Sequence, residues 1–162
     1  GAHTVLALAG QRFGPLGPSG RNPRIRAVAA LSPMPPGTDP ATAPQAFGAI
    51  AIPVLTATGS ADGSPLAAGK SLEQVVAARA AVFPALPPSR SGKAHVGLWL
   101  DGATHADFGG NARGRRASDP HVVAVTTAAT TAFFRAHLGG NGVPDLAPAR
   151  ALLAPADRIS QK

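Results

Sequence analysis

The sequence contains no cysteine, and aromatic residues make up only 4% of its 162 positions. Without cysteine, disulfides, thiolate metal sites and cysteine nucleophiles are all excluded. The scarcity of aromatic rings argues against a nucleic-acid surface, because bases stack on such rings. No apolar run approaches the roughly 20 residues needed to span a bilayer. We therefore expect neither a membrane span nor a nucleic-acid partner.

Acidic residues are also few, 8 against 15 lysines and arginines, which leaves a formal charge of +7. The densest basic cluster is Arg113, Arg115 and Arg116, within a stretch that also contains glycine and asparagine. A nucleic-acid surface would need more such residues, interleaved with aromatics. We interpret the cluster as a solvated loop of an arginine-rich protein.

Length and composition are those of one globular domain, with 44% hydrophobic residues. The 17 prolines and 19 glycines lie mostly between apolar runs, which favours short elements joined by many loops. The chain does not open on a signal-type sequence, so any signal would lie upstream of it. We expect a soluble protein whose compartment, secreted, periplasmic or cytoplasmic, the sequence leaves open.

Short apolar runs bounded by turn residues alternate with helical patterns. The runs predict strands buried on both faces, over residues 25–31, 52–58 and 95–100. Helical spacing predicts helices over residues 1–13, 72–83 and 121–138. Residues 144–162 form a tail with a short helix near 149–153 and a polar end expected to fray. This rhythm predicts an α/β fold in which a parallel sheet is flanked by helices. Three strands would leave exposed edges, so we expect further strands in the sheet.

Two chemically useful residues follow consecutive predicted strands. Asp62 lies in the turn after the second strand, and His105 lies in the loop after the third. Ligands of open α/β sheets bind at these carboxyl ends. An aspartate there can orient a histidine and stabilise its imidazolium as it takes a proton from a nucleophile. On these residues alone two structural readings stay open, an Asx-turn at Asp62 and a loop cap at His105.

Three segments resemble the α/β-hydrolase superfamily, in particular its dienelactone-hydrolase-like branch, which includes chlorophyllase-like, platelet-activating-factor-acetylhydrolase-like and polyester-hydrolysing enzymes. Residues 1–11, GAHTVLALAGQ, resemble the segment after the serine of a Gly-x-Ser-x-Gly nucleophile elbow, with Gly1 as the closing glycine. Residues 59–65, GSADGSP, resemble the turn that bears the acid, and residues 102–108, GATHADF, resemble the histidine loop. Elbow, acid and histidine follow in the order of this fold.

The resemblance implies the C-terminal half of a serine esterase that works through an acyl-enzyme. Asp62 and His105 would be catalytic, and the serine would lie two positions before Gly1, together with an oxyanion-hole amide. The partners it implies are the missing N-terminal half of the fold and a small-molecule or polymeric ester, and it implies no metal or organic cofactor. Met34 and Phe108, at the rim of the site, would line an acyl pocket or only pack in loops. The chain alone would be inactive.

The remaining candidates are weaker. Asp101 and Asp107 flank the histidine, but the family places its acid after the preceding strand. The other histidines are scattered, make no metal-ligand set and are predicted to be structural or surface residues: His3, His95, His121 and His137. The alternative function is an inactive binding or interaction module that has kept the fold and lost the nucleophile.

Overall fold

A four-stranded sheet organises the part of the chain that the structure describes. The computed structural model describes residues 1–13, 20–36, 39–63, 69–89, 94–109 and 118–162. Its strands are β1 (Val28–Leu31), β2 (Val54–Ala61), β3 (Val96–Thr104) and β4 (Arg158–Gln161), in the spatial order β1-β2-β3-β4. β1, β2 and β3 are parallel, and β4 runs antiparallel to β3. The predicted α/β class is therefore confirmed. The arginine cluster at residues 113–116 lies outside the described residues.

Helices cover both faces of this sheet. They are α1 (Ala2–Ala9), α2 (Ala43–Phe47), α3 (Leu72–Ala80), α4 (Val82–Ala85), α5 (His105–Phe108), α6 (Pro120–Leu138) and α7 (Ala147–Arg150), with a 3-10 turn at Pro40–Thr42. Leu6, Phe47 and Val82 pack on one face, in a cluster that includes Val54 of β2. The next residue, Leu55, packs on the other face with Phe133 of α6. Successive strand residues point to opposite faces, so the parallel strands are apolar at most of their buried positions, as a sheet covered on both sides requires.

Local signals set several helix boundaries. Ser71 and Gln74 form a capping box at the start of α3. Asp119 caps α6, and Pro120 occupies its first turn. α1 ends at Ala9, before the predicted position 13, because Gly10 adopts φ 115°, a left-handed conformation typical of helix C-termini.

β2 and β3 each extend further than predicted, by three and four residues. Their pairing shifts register between Gly59 and Ala61. A Cβ atom at Gly59 would overlap the carbonyl oxygen of Leu100 and the side chain of Ala103. Glycine therefore allows β3 to approach β2 closely just before the loop that begins at Asp62.

The C-terminal end differs from the expectation that it would fray. Residues 158–161 form β4, which pairs Ile159 with Leu98 and Gln161 with Val96. Only Ile159 of this strand is buried, so the period-2 pattern is too short and polar to be recognised in the sequence. Within the described residues, no helix is both long and apolar enough to cross a membrane.

Candidate active site at the carboxyl ends of three parallel strands

Ser32, Asp62 and His105 are the first residues after β1, β2 and β3, respectively. Since these strands are parallel and adjacent, the three residues lie at the same edge of the sheet. This edge is where α/β proteins bind ligands. The topology thus brings a hydroxyl, a carboxylate and an imidazole together without any long excursion of the chain.

The three side chains are in contact. Ser32 Oγ lies 2.6 Å from Asp62 Oδ1 and 2.6 Å from His105 Nδ1. Asp62 Oδ1 and His105 Nδ1 are 3.3 Å apart. Ser32 and Asp62 therefore contact the same ring nitrogen of His105, and Arg79 Nη2 also lies 3.3 Å from it. The Asp62–His105 contact predicted from the sequence is present.

Asp62 is completely buried, and its carboxylate is held from several sides. Thr58 Oγ1 donates to Oδ2 over 2.8 Å, while Ser32 donates to Oδ1. Arg79 Nε lies 3.3 Å from Oδ1. A buried charge is tolerated when it is paired and hydrogen-bonded, and Asp62 meets both conditions.

Arg79 joins the two loops that carry Ser32 and Asp62. Its guanidinium donates to the carbonyl oxygens of Ser32 and Pro33 in the first loop and of Asp62 and Gly63 in the second. Burial lowers the pKa of Arg79 from its ordinary value, and the charge of Asp62 opposes this shift. The planar fork of donors suits such a multiple contact. Arg79 thereby fixes the spacing of the two loops.

His105 opens the short helix α5, and its position is set by that helix. Thr104 and Asp107 form a capping box in which Asp107 Oδ2 accepts hydrogen bonds from the backbone N–H and hydroxyl of Thr104. The His105 side chain is 52% exposed. Among the described residues, no group forms a hydrogen bond with its Nε2.

Ser32 does not have the features of an elbow nucleophile. It contacts Nδ1, the nitrogen that a triad reserves for the acid. In an elbow, the N–H of the next residue helps form the oxyanion hole, but the next residue is Pro33, which has no N–H. Ser32 is also buried, with 6% of its surface exposed.

The other predicted site residues fall into two groups. Met34 is partly buried after β1, and Phe108 packs against the apolar clusters that include Phe133 and Leu100. Their role in an acyl pocket stays a prediction. Asp101 is exposed and accepts a hydrogen bond from Ser60, whereas Asp107 caps α5. Neither aspartate forms a hydrogen bond with His105 within the described chain.

The remaining histidines lie apart from this site and from one another, except for one pair. His95 and His137 are close enough to influence each other electrostatically. The ring of His137 contacts the carbonyl oxygen of Ala94, the residue before His95. His121 forms a hydrogen bond with Asp157, and the ring of His3 packs at a tilt against the ring of Phe13. Within the part of the chain that the structure describes, no group of three or more His, Asp or Glu side chains could hold a metal ion.

Sequence reasoning missed Ser32 and Arg79 as members of the site. Ser32 occupies the strand-end position that already singled out Asp62 and His105, so position alone could have identified it. Arg79 falls in the apolar stripe of α3 near Val75. A cation on a buried helix face needs an anionic or carbonyl partner, which was the available signal.

Comparison with known proteins gives no family. No protein-family model matches the chain, and no curated protein matches it. Function must therefore be argued from the geometry of the site.

Proposed function

We propose that the protein is a serine esterase in which Asp62 is the acid and His105 the general base of a catalytic triad. The observation that carries this proposal is the buried Asp62 carboxylate 3.3 Å from His105 Nδ1, with about half of the His105 side chain exposed. The nucleophile would be a serine in a segment upstream of Gly1, as the resemblance to α/β-hydrolases implies.

The chemistry would use the two nitrogens of His105 differently. With its proton on Nδ1, the ring offers the Nε2 lone pair to the serine hydroxyl. The serine attacks the ester carbonyl, and the imidazolium then gives its proton to the leaving alcohol. Water attacks the acyl-enzyme by the same route, and the serine is regenerated. Asp62 stabilises the imidazolium, so these steps need no cofactor.

The proposed substrate is a carboxylic ester, either a small molecule or a polymer. Met34 and Phe108 lie near the strand ends and would supply apolar surface for the acyl group. We expect acyl-chain preference to change when these side chains are shortened, because a missing methylene in an apolar pocket changes kcat/KM by about tenfold or more.

The test is p-nitrophenyl ester turnover by the full-length protein and two variants. His105→Ala and Asp62→Asn should each lower kcat by at least about a hundredfold, the order contributed by general base catalysis. His121→Ala is the matched control, because His121 also contacts an aspartate, Asp157, away from the site. Wild-type rates in the His105 variant would overturn the assignment.

The second candidate is an inactive binding module that has retained the fold. It is favoured by the fact that, among the described residues, no nucleophilic side chain contacts His105 Nε2. The residue encoded two positions before Gly1 separates the candidates: a serine there supports the esterase, and a glycine or alanine supports the module.

A further inference from the structure

We propose that Ser32 is a positioning residue that connects Asp62 to His105 and holds the imidazole proton on Nδ1. This inference extends the proposed esterase function where it concerns rate. Its statement about the protonated nitrogen depends only on the geometry of the three side chains.

The shortest connection between acid and base passes through the Ser32 hydroxyl. Its contact with Asp62 measures 2.6 Å, within the range of strong hydrogen bonds from a hydroxyl to a carboxylate. Its contact with His105 Nδ1 is equally short, at 2.6 Å. The direct distance from Asp62 Oδ1 to His105 Nδ1 is 3.3 Å, beyond the range for a good hydrogen bond. The hydroxyl therefore provides the closer contact to each partner.

Counting protons fixes the direction of these bonds. An ionised carboxylate only accepts, so Ser32 must use its single proton toward Asp62. The oxygen of Ser32 is then an acceptor, and the short contact to His105 requires a proton on Nδ1. Arg79 Nη2 also lies 3.3 Å from Nδ1, and as a donor it would compete for an unprotonated Nδ1. Its hydrogen bond to the Gly63 carbonyl oxygen measures 3.2 Å, and the Ser32 contact with Nδ1 is shorter than the Arg79 contact, so the geometry favours the Ser32 hydrogen bond. The Nε2 atom is left with its lone pair, as a general base needs.

The backbone conformation of Ser32 is unusual, and hydrogen bonds hold it in the orientation that directs the side chain toward Asp62 and His105. Its φ is 60°, in the left-handed region, and among the described residues it is the one non-glycine residue with positive φ. This conformation costs about 1 kcal/mol. The Ser32 N–H donates to Ala57 O over 2.7 Å, and Arg79 donates to the Ser32 carbonyl. Strain held in this way is concentrated at functional sites.

The first experiment measures the ¹⁵N chemical shifts of the two ring nitrogens of His105 by NMR of the full-length protein, because these shifts show which nitrogen carries the proton. Assignment uses a His105→Asn variant. Ser32→Gly removes the hydroxyl and suits positive φ, and Ser32→Ala provides a second variant that keeps the Cβ atom. Thr58→Val is the matched control, because it removes the other hydroxyl on Asp62 without touching His105.

Wild-type protein at a pH where His105 is neutral should show one protonated-type signal at Nδ1 and one unprotonated-type signal at Nε2. Both Ser32 variants should show a mixture of the two tautomers, while Thr58→Val keeps the wild-type pattern. An unchanged pattern in both Ser32 variants, with thermal unfolding showing that they fold, would overturn the inference. So would a wild-type pattern with the proton on Nε2.

The second experiment follows ester turnover. Loss of a hydrogen bond of this strength should lower kcat about tenfold, with KM changed by less than about twofold, because buried Ser32 does not face the substrate. Labelling of Ser32 itself by a fluorophosphonate probe would show a nucleophile and overturn the positioning role. An inactive wild type with the expected ¹⁵N pattern would remove the esterase proposal and leave the role of Ser32 standing.

Discussion

Arg79 Nε lies 3.3 Å from Asp62 Oδ1, and both side chains are almost completely withdrawn from solvent. The same guanidinium holds backbone carbonyls in the loops after β1 and β2. Charge balance for Asp62 and the spacing of two functional loops thus depend on one side chain. Loss of Arg79 should affect stability and site geometry together.

Arg79→Met should lower the free energy of unfolding by about 3–5 kcal/mol, because it leaves Asp62 as a buried charge without its cation. Arg79→Lys should recover only part of this loss, since one ammonium group cannot reach both loops as the planar fork does. Urea unfolding measures both. Arg24→Met, at an exposed position, is the control and should change stability by less than about 0.5 kcal/mol. Equal effects of Arg79→Met and Arg24→Met on stability would contradict the role of Arg79 in holding Asp62 and the two loops.

His95 should make the protein acid-sensitive. Burial lowers its pKa to about 4, and the nearby charges of Lys162 and His137 act in the same direction. The unfolded chain binds a proton at its ordinary value of about 6.5, so stability is constant above that value and falls as pH decreases from about 6.5 to 4. The loss should reach up to about 3 kcal/mol, measured by urea unfolding across this pH range.

The matched variant is His95→Asn, whose Oδ1 can replace the Nδ1 atom that accepts the Val54 N–H over 3.1 Å. This variant should lose most of the pH dependence between 6.5 and 4, although His137, whose pKa burial also lowers, keeps a smaller part. His3→Asn, at an exposed position, should retain the full slope. If the slope persists in His95→Asn, the buried imidazole is not its source.

Asp157 should stabilise the region where β3, α6 and β4 meet. Burial alone would raise its pKa, but hydrogen bonds from His121 and from the N–H groups of Asp101 and Ala154 lower it below the ordinary value. Asp157→Ala should cost about 2–3 kcal/mol at neutral pH. The difference from wild type should begin to shrink as pH falls below about 3.8, where the unfolded carboxyl binds a proton, and should reach its minimum once pH falls below the lower pKa of the folded carboxyl.

Thermal unfolding of Asp157→Ala at neutral and acid pH measures this change. Asp101→Ala is the control, since Asp101 is exposed and its carboxylate accepts only from Ser60 in the described residues. A constant penalty at every pH for Asp157→Ala would show that packing, not the ionised carboxylate, is responsible.

Replacing Gln11 by a less polar residue should increase the stability of the protein. Its side chain is fully buried, and neither its Oε1 nor its Nε2 forms a hydrogen bond with any of the described residues. Gln11→Met has a similar shape and removes both polar atoms, so stability should rise by about 1 kcal/mol or more. Gln11→Glu should do the opposite by burying a charge. Lower stability of Gln11→Met in urea unfolding would indicate that the amide has a polar partner.

Much of the fold could be predicted because the buried parallel strands are mostly apolar and their turns are marked by proline and glycine. The starts of β2 and β3 lie within two residues of the predicted positions. Their ends were predicted too early, because the last residues, such as Ser60 and Asp101, are polar and leave the apolar pattern while still pairing. β4 carries one buried residue, Ile159, and no periodicity can identify so short a strand.

The sequence predicted only those members of the site that could be recognised from their positions at the ends of predicted strands. Asp62 and His105 have side chains whose chemistry drew attention at those positions. The parts played by Ser32 and Arg79 depend on a positive φ and on a helix face turned toward two loops. Such relations arise from packing between elements distant in sequence, and a single sequence does not specify them.

The antiparallel strand β4 has a consequence for the solubility of the protein. It covers the side of β3 that would otherwise present unpaired N–H and C=O groups along Val96–Trp99. An open edge of this apolar kind recruits strands from other molecules. Shortened versions that end before Arg158 should therefore aggregate, even though every side chain of the candidate site is retained. The last few residues thus prevent self-association through the edge of β3.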